Sequence, residues 1–405
     1  MARYNSADVS RSAVLARLGA VGPASRAELA RTLGVSPALI TQLTKDLIAD
    51  GLVEEREQLP SQGGRPARLL GLVSNAGRVV GVKVSADHLA FVESGLDGRV
   101  LRSASEPFDA TDSMFLSRLM ELIQRFIEGG NALPLLGVGV GVPGSVDRQG
   151  NGVVDSVQLG WNQVPVGDVL RRGLALPVIV ENNVNALAVA ERLYGLGRNA
   201  DNMLVVTIGT GIGAAIVTDG IILRGGSGGA GEIGHIPVSD DGPLCVCGDH
   251  GCLESYIGEA ALVARAREAG ALGEHSGIAE LRASADDGDE RAARIFGEAG
   301  ALLGRTIAGV VHTVDPELVV VLGEGTAAWR HWSFGFEPAL RSHLMARRRG
   351  IPVEVETWQD DSWAQGAAAL VLATPFDSEG VAGDQGRLVR ERLVEQSSSR
   401  EAGAS

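Results

Sequence analysis

Apolar residues recur at helical spacing between Ser6 and Leu18, at Val9, Ala13, Val14, Ala16 and Leu18, until Gly19 and Gly22–Pro23 interrupt them. That pattern predicts a first helix. Ser25 followed three residues later by Glu28 is a capping box for a second helix over Arg26–Leu33, with Gly34 as the turn residue. Ser36 then caps a third helix that begins at Pro37, a favoured first position, and runs to about Asp50. Its core positions read as Leu39, Ile40, Leu43 and Leu47. Two helices joined by a short turn containing Gly form a helix-turn-helix. Leu52–Val53–Glu54 and Arg68–Leu72 read as two strands joined by the flexible tip Gln62–Gly63–Gly64–Arg65–Pro66, which makes a winged helix over residues 1–74.

Beyond Ser74 the pattern changes to apolar runs alternating with helical stretches. The runs are Val79–Val84, Leu136–Val142, Val178–Val180, Leu204–Ile208, Ala214–Val217 and Leu318–Leu322. Between them, Met114–Ile127, Ala186–Tyr194, Gly258–Ala269 and Ala292–Val311 read as helices. This is α/β organisation, with sheets buried by helices. A Gly-, Ser- and charge-rich tail, 376–405, reads as a disordered extension or frayed helix.

Composition adds constraints. Apolar residues make up 45% and charged residues 21% of 405, which excludes wholesale disorder and suggests two or three domains. Glycine is in excess, 55 residues without a Gly-X-Y period, and points to tight turns and close backbone approach. The net charge of −14 argues against nucleic acid coating the whole surface. Residues 1–75 nevertheless carry nine Arg and Lys against seven Asp and Glu, leaving 27 against 43 for the remainder. A slightly basic head on an acidic body suits a head that meets DNA. The start, MARYNSADVS, lacks the apolar core of a signal peptide, and no apolar run reaches the length of a membrane span, so the expectation is a cytoplasmic protein with no membrane insertion.

On the third helix, Ser36, Pro37, Ala38, Thr41, Gln42 and Lys45 are the candidates for operator DNA, small and hydrogen-bonding groups for base edges and a lysine for phosphate. Arg65, held between Gly and Pro at the wing tip, has the setting of an arginine that enters a narrow A·T-rich minor groove.

All three cysteines, Cys245, Cys247 and Cys252, share one eight-residue loop, ten residues or more beyond His235. Three thiolates and one imidazole form a closed tetrahedral set of the kind that holds structural zinc, Zn2+, with no position left for water. His250 competes with His235 as the fourth ligand.

These motifs carry a resemblance. Thr207-Ile-Gly-Thr-Gly-Ile-Gly213, Gly231-Glu-Ile-Gly-His235 and Cys245-Val-Cys-Gly-Asp-His-Gly-Cys252-Leu-Glu254, in that order, resemble the ROK family of bacterial sugar-responsive repressors and sugar kinases. The resemblance covers about residues 6–372. It implies a two-lobed, actin-like ATPase (sugar-kinase-like) body with sugar bound in the cleft between lobes, and it prefers His235 as the metal ligand. The first lobe would span 75–200, completed by 363–375, and the second 201–362 with the zinc loop. Gly144, Asn182, Asn183, Glu232, His235 and Glu254 are then the sugar-binding candidates, carboxylates and amides meeting hydroxyls.

Three departures weaken the kinase half of the resemblance. The family's base motif Glu-Asn-Asp-Ala-Asn is here Glu181-Asn182-Asn183-Val184-Asn185, and the amide of Asn183 cannot take a proton near neutral pH. The first phosphate loop, Asp-x-Gly-Gly-Thr-Lys in kinases, is Lys83-Val-Ser-Ala-Asp-His88. The adenosine-side Gly-Gly is Gly323-Glu324. The expectation is therefore no catalytic residue and no enzyme, but a repressor that binds an A·T-containing inverted repeat as a homodimer or homotetramer and answers to a small-molecule sugar effector. The alternatives are a bifunctional regulator that still phosphorylates sugar, and a regulator controlled by a protein partner.

Overall fold

The computed structural model describes residues 14–15, 17–18, 22–49, 51–56, 68–73, 76–149, 151–356, 361–374 and 382–403. The wing tip with Arg65 and most of the predicted first helix lie outside the described residues. The chain divides into two compact units, Met1–Arg198 with Asp361–Ser405, and Asn199–Asp360.

The head comprises β1 (Ala24–Ser25), α1 (Arg26–Thr32), α2 (Pro37–Ala49), β2 (Val53–Arg56) and β3 (Leu69–Leu72), with the strands in the order β1-β3-β2. The capping box is formed: Glu28 N donates to Ser25 Oγ at 3.2 Å, and Ser25 N donates to Glu28 Oε2 at 2.9 Å. Leu29, Ile40, Leu47 and Leu70 are fully buried together. Leu39, expected in this core, is instead 40% exposed, because it lies one position ahead of the buried Ile40 and on the outer side of the helix. The head shares one hydrophobic cluster with Val79, Leu136 and Ile179 of the first α/β sheet and is grouped with it.

That sheet contains β4 (Arg78–Val84), β5 (His88–Gly95), β6 (Val100–Pro107), β7 (Leu135–Val142) and β11 (Val178–Asn182), in the order β11-β7-β4-β5-β6. Strands β8 (Ser145–Val146), β9 (Val154–Ser156) and β10 (Trp161–Val164) form a small separate sheet. Helices α3 (Phe115–Glu128) and α4 (Val166–Leu174) bury the valines of one face, Val138, Val140 and Val142 among them. Helix α5 (Asn183–Leu193) follows β11 directly.

The second unit has β12 (Met203–Ile208), β13 (Ile212–Thr218), β14 (Ile221–Ile222), β15 (Leu318–Leu322) and β16 (Val353–Val355), in the order β14-β13-β12-β15-β16. Helices α6 (Glu254–Ile257), α7 (Glu259–Glu268), α8 (Ile278–Asp286), α9 (Glu290–Val314) and α10 (Trp329–His343) contribute to its core, where Phe296, Trp332 and Phe336 are fully buried.

The chain then returns to the first unit with α11 (Ser362–Ala373) and α12 (Gly383–Gly403). The alternation Gly137-Val-Gly-Val-Gly141 on β7 now has its reason. A Cβ on Gly139 would lie 1.8 Å from Ala367 O, so only bare backbone lets the alanine-rich α11 approach this closely. Of the two expectations for the tail, a disordered extension or a frayed helix, the described residues show a helix. Val389 and Leu393 on α12 and Ala382 just ahead of it are buried, and Arg392 Nε donates to Leu135 O at 3.2 Å. Three apolar residues at helical spacing suffice to dock a helix that its composition alone marks as frayed or disordered.

Candidate metal centre, sugar-facing residues and nucleic-acid interface

The motif Gly231–His235 leads into a short 3₁₀ turn, Ile233–His235. The cysteine loop folds back on this stretch through the bridge between Pro237 and Cys252, with Val238 N donating to Gly251 O at 2.8 Å. Gly251 holds the return at φ +74°, where a Cβ would lie 1.7 Å from Ser239 O. The fold thus places the ligand atoms of His235, Cys245, Cys247 and Cys252 within 4.8 Å of one another. Cys245 Sγ is 3.5 Å from His235 Nδ1, and Cys247 Sγ is 3.7 Å from Cys252 Sγ. The His250 ring is exposed and points Nδ1 at Gly242 O, 2.9 Å away, which leaves His235 as the imidazole of the cluster.

Burial raises the Cys245 thiol pKa, and burial with the neighbouring sulfurs pushes that of Cys252 up to about 12. Three sulfurs crowded on one imidazole are well matched to a cation that binds them as thiolates. The donor set, three sulfurs and a nitrogen, can hold a metal ion.

With Nδ1 facing the cysteines, His235 turns Nε2 toward Glu232, whose Oε2 is 3.9 Å away. Burial raises the Glu232 carboxyl pKa; the nearby His235 opposes that shift and the charge of Glu254 adds to it. Glu254 Oε2 accepts from Ile212 N at 2.8 Å, which fixes one oxygen of this carboxylate. These three groups share the second unit.

Gly144, Asn182 and Asn183 belong to the first unit. Asn182 is the N-cap of α5: its Oδ1 accepts from Val184 N at 2.8 Å and Asn185 N at 3.1 Å, and Nδ2 donates to Gly144 O at 2.8 Å. Most of its hydrogen-bonding capacity therefore serves the fold, leaving one amide hydrogen for a ligand. Asn183 opens α5 beside Gly141. Lys83, paired across the sheet with Gly141, places Nζ 5.0 Å from the ring centroid of Trp363.

The glycine loop after β12 carries a feature that the sequence motif alone does not convey. Glu324 Oε2 lies 2.5 Å from where a Cβ on Gly209 would stand, and Glu259 N donates to Gly209 O at 3.1 Å. Burial raises the Glu259 carboxyl pKa and the charge of Glu324 raises it further. Two carboxylates therefore stand close together beside this glycine loop.

On the head, Ser36, Pro37, Ala38, Thr41, Gln42 and Lys45 all lie on the exposed side of α2. Thr44 lies on the buried side of α2 and accepts from Arg26 Nε at 2.9 Å. Arg26 also pairs with Glu55 at 3.0 Å, tying α1 to α2 and β2.

The ROK family profile matches residues 79–374, nearly three quarters of the chain, and the MarR family profile matches residues 8–63. The chain belongs to the ROK family. The xylose repressor of Caldicellulosiruptor bescii is 25% identical over 365 residues, covering 86% of this chain and 92% of its own. The DNA-binding transcriptional dual regulator NagC of Escherichia coli is 29% identical over 377 residues, covering 90% and 92%. The crystal structure of a ROK family transcriptional regulator, homolog of the Escherichia coli MLC protein, superimposes with a TM-score of 0.77 at 26% identity, covering 96% of this chain and 99% of that one. The winged head and ROK body thus occur together in its relatives. No helix among the described residues is long and apolar enough to cross a membrane.

Proposed function

We propose that the protein is a sugar-responsive transcriptional repressor without kinase activity, acting in the cytoplasm as a homodimer or homotetramer on an inverted-repeat, A·T-containing operator. The observation that carries this reading is the union, in one chain, of a winged helix-turn-helix with a ROK body whose base position is an amide, Asn183. Ser36, Pro37, Ala38, Thr41 and Gln42 face the bases of the operator, Lys45 meets phosphate, and Arg65 on the wing enters the minor groove.

In the body, Glu232 and Glu254 accept hydrogen bonds from sugar hydroxyls and His235 donates its Nε2–H to a sugar oxygen, while Asn182 and Asn183 offer amide groups beside Gly144. A zinc ion held by His235, Cys245, Cys247 and Cys252 would fix the imidazole so that its other nitrogen stays turned toward the ligand. Sugar binding shifts the protein between a state that holds DNA and one that does not. Relatives named xylose repressor and N-acetylglucosamine repressor support sugar sensing without fixing the sugar.

The test uses the full chain and a duplex that it selects from a randomised pool. A panel of monosaccharides and amino sugars is expected to contain at least one that releases this duplex with no nucleotide present. Release only in the presence of ATP would count against the reading.

A further inference from the structure

We propose that the exposed face of α2 reads thymine through its C5-methyl group, with Leu39 as the reading side chain. This rests on the DNA-binding reading above and adds the chemistry by which the major groove is recognised. Leu39 is the large apolar side chain left exposed among the described residues of the head, and Pro37 and Ala38 beside it are exposed too.

The polar groups around it are partly engaged within the helix. Thr41 Oγ1 donates to Pro37 O at 2.7 Å, Ser36 Oγ accepts from Leu39 N at 3.2 Å, and Gln42 Nε2 donates to Asp46 Oδ1 at 2.8 Å. Each keeps further hydrogen-bonding capacity for base edges, but the hydrocarbon that the first turns of α2 offer outward is that of Pro37, Ala38 and Leu39. In a helix-turn-helix those turns are the ones that approach base edges. The exposed Lys45 further along the same helix suits a polyanionic partner rather than an apolar protein surface. Within the major groove the apolar feature of a base pair is the thymine methyl.

Leu39 covering such a methyl removes about one methyl group from water, worth roughly three- to tenfold in affinity. The experiment uses the selected duplex and versions in which each thymine in turn is replaced by deoxyuridine, which deletes only the methyl. For wild type, one such replacement per half-site is expected to weaken binding about three- to tenfold.

Leu39→Ala is expected to bind the parent duplex more weakly by a similar factor and to be indifferent to that replacement. Leu39→Met, which keeps an apolar side chain of similar reach, should retain the discrimination. Deoxyuridine tolerated at every position, or penalised equally in wild type and Leu39→Ala, would overturn the inference. A full chain that selects no duplex at all would instead overturn the DNA-binding reading beneath it.

Discussion

The cysteine loop shows how far single residues determine this molecule. Cys245, Cys247, Cys252 and His235 are brought within 4.8 Å by a turn that needs glycine at position 251. The residue types and their spacing were legible in sequence, whereas the choice between His235 and His250 was settled by the direction of a ring. Purified protein is expected to carry about one zinc per chain, and Cys247→Ser to lose it, because removal of one thiolate leaves an incomplete tetrahedral set. Metal analysis of freshly prepared, reduced protein checks this, and a zinc-free wild type would refute the assignment. The same scale shows what sequence concealed. Asn182 looks like a ligand-binding amide in its motif, yet most of its capacity caps α5 and anchors Gly144.

At the scale of elements, the winged head and the buried strands β4, β7, β12 and β15 were legible because their hydrophobic periods are strong. Strands β5 and β6 were not, since β6 alternates half-buried and exposed positions and presents no apolar run. The docking of helix α12 was not legible because its polar composition outweighs three apolar residues that matter only once the sheet beneath them exists. Leu393→Ala should therefore destabilise the protein by about 2 kcal/mol or more, measured by denaturant unfolding. A loss near zero would mean that α12 is not docked in solution.

The capping box of α1 gives a second expectation at this scale. Ser25→Ala should cost about 1 kcal/mol. Hydrogen bonds from the backbone and side chain of Ser25 hold the Glu28 carboxyl below its ordinary pKa of 4.5. The folded value is the lower one, so this contribution is complete above the unfolded pKa and fades as pH falls through the folded value. Glu28→Gln should remove that part of the acid dependence of stability, and an unchanged acid profile would show that the box is not formed.

At the scale of the whole molecule, a ROK body without kinase activity, as proposed, would rest on several separate points of the chain. Asn183 opens α5, Lys83 packs over Trp363 and Glu324 crowds the glycine loop at Gly209; on the proposed reading these are the positions of the base, the first phosphate loop and the adenosine side. Loss of a general base alone typically costs ~10²–10⁴ in rate, so a repaired base would restore turnover if the rest of the site were intact. On the proposed reading it is not intact, since Glu324 and Glu259 stand at one glycine loop and Lys83 stands near the end of β4. Wild type is therefore expected to show no sugar-dependent ATP consumption above background, and Asn183→Asp is expected to remain inactive. A coupled assay for ADP release, run with each sugar that releases the operator, measures both. Turnover by wild type near the 1–100 s⁻¹ typical of kinases would overturn the sensor reading. Recovery of such turnover by Asn183→Asp would instead show that the two carboxylates at Gly209 do not keep nucleotide out.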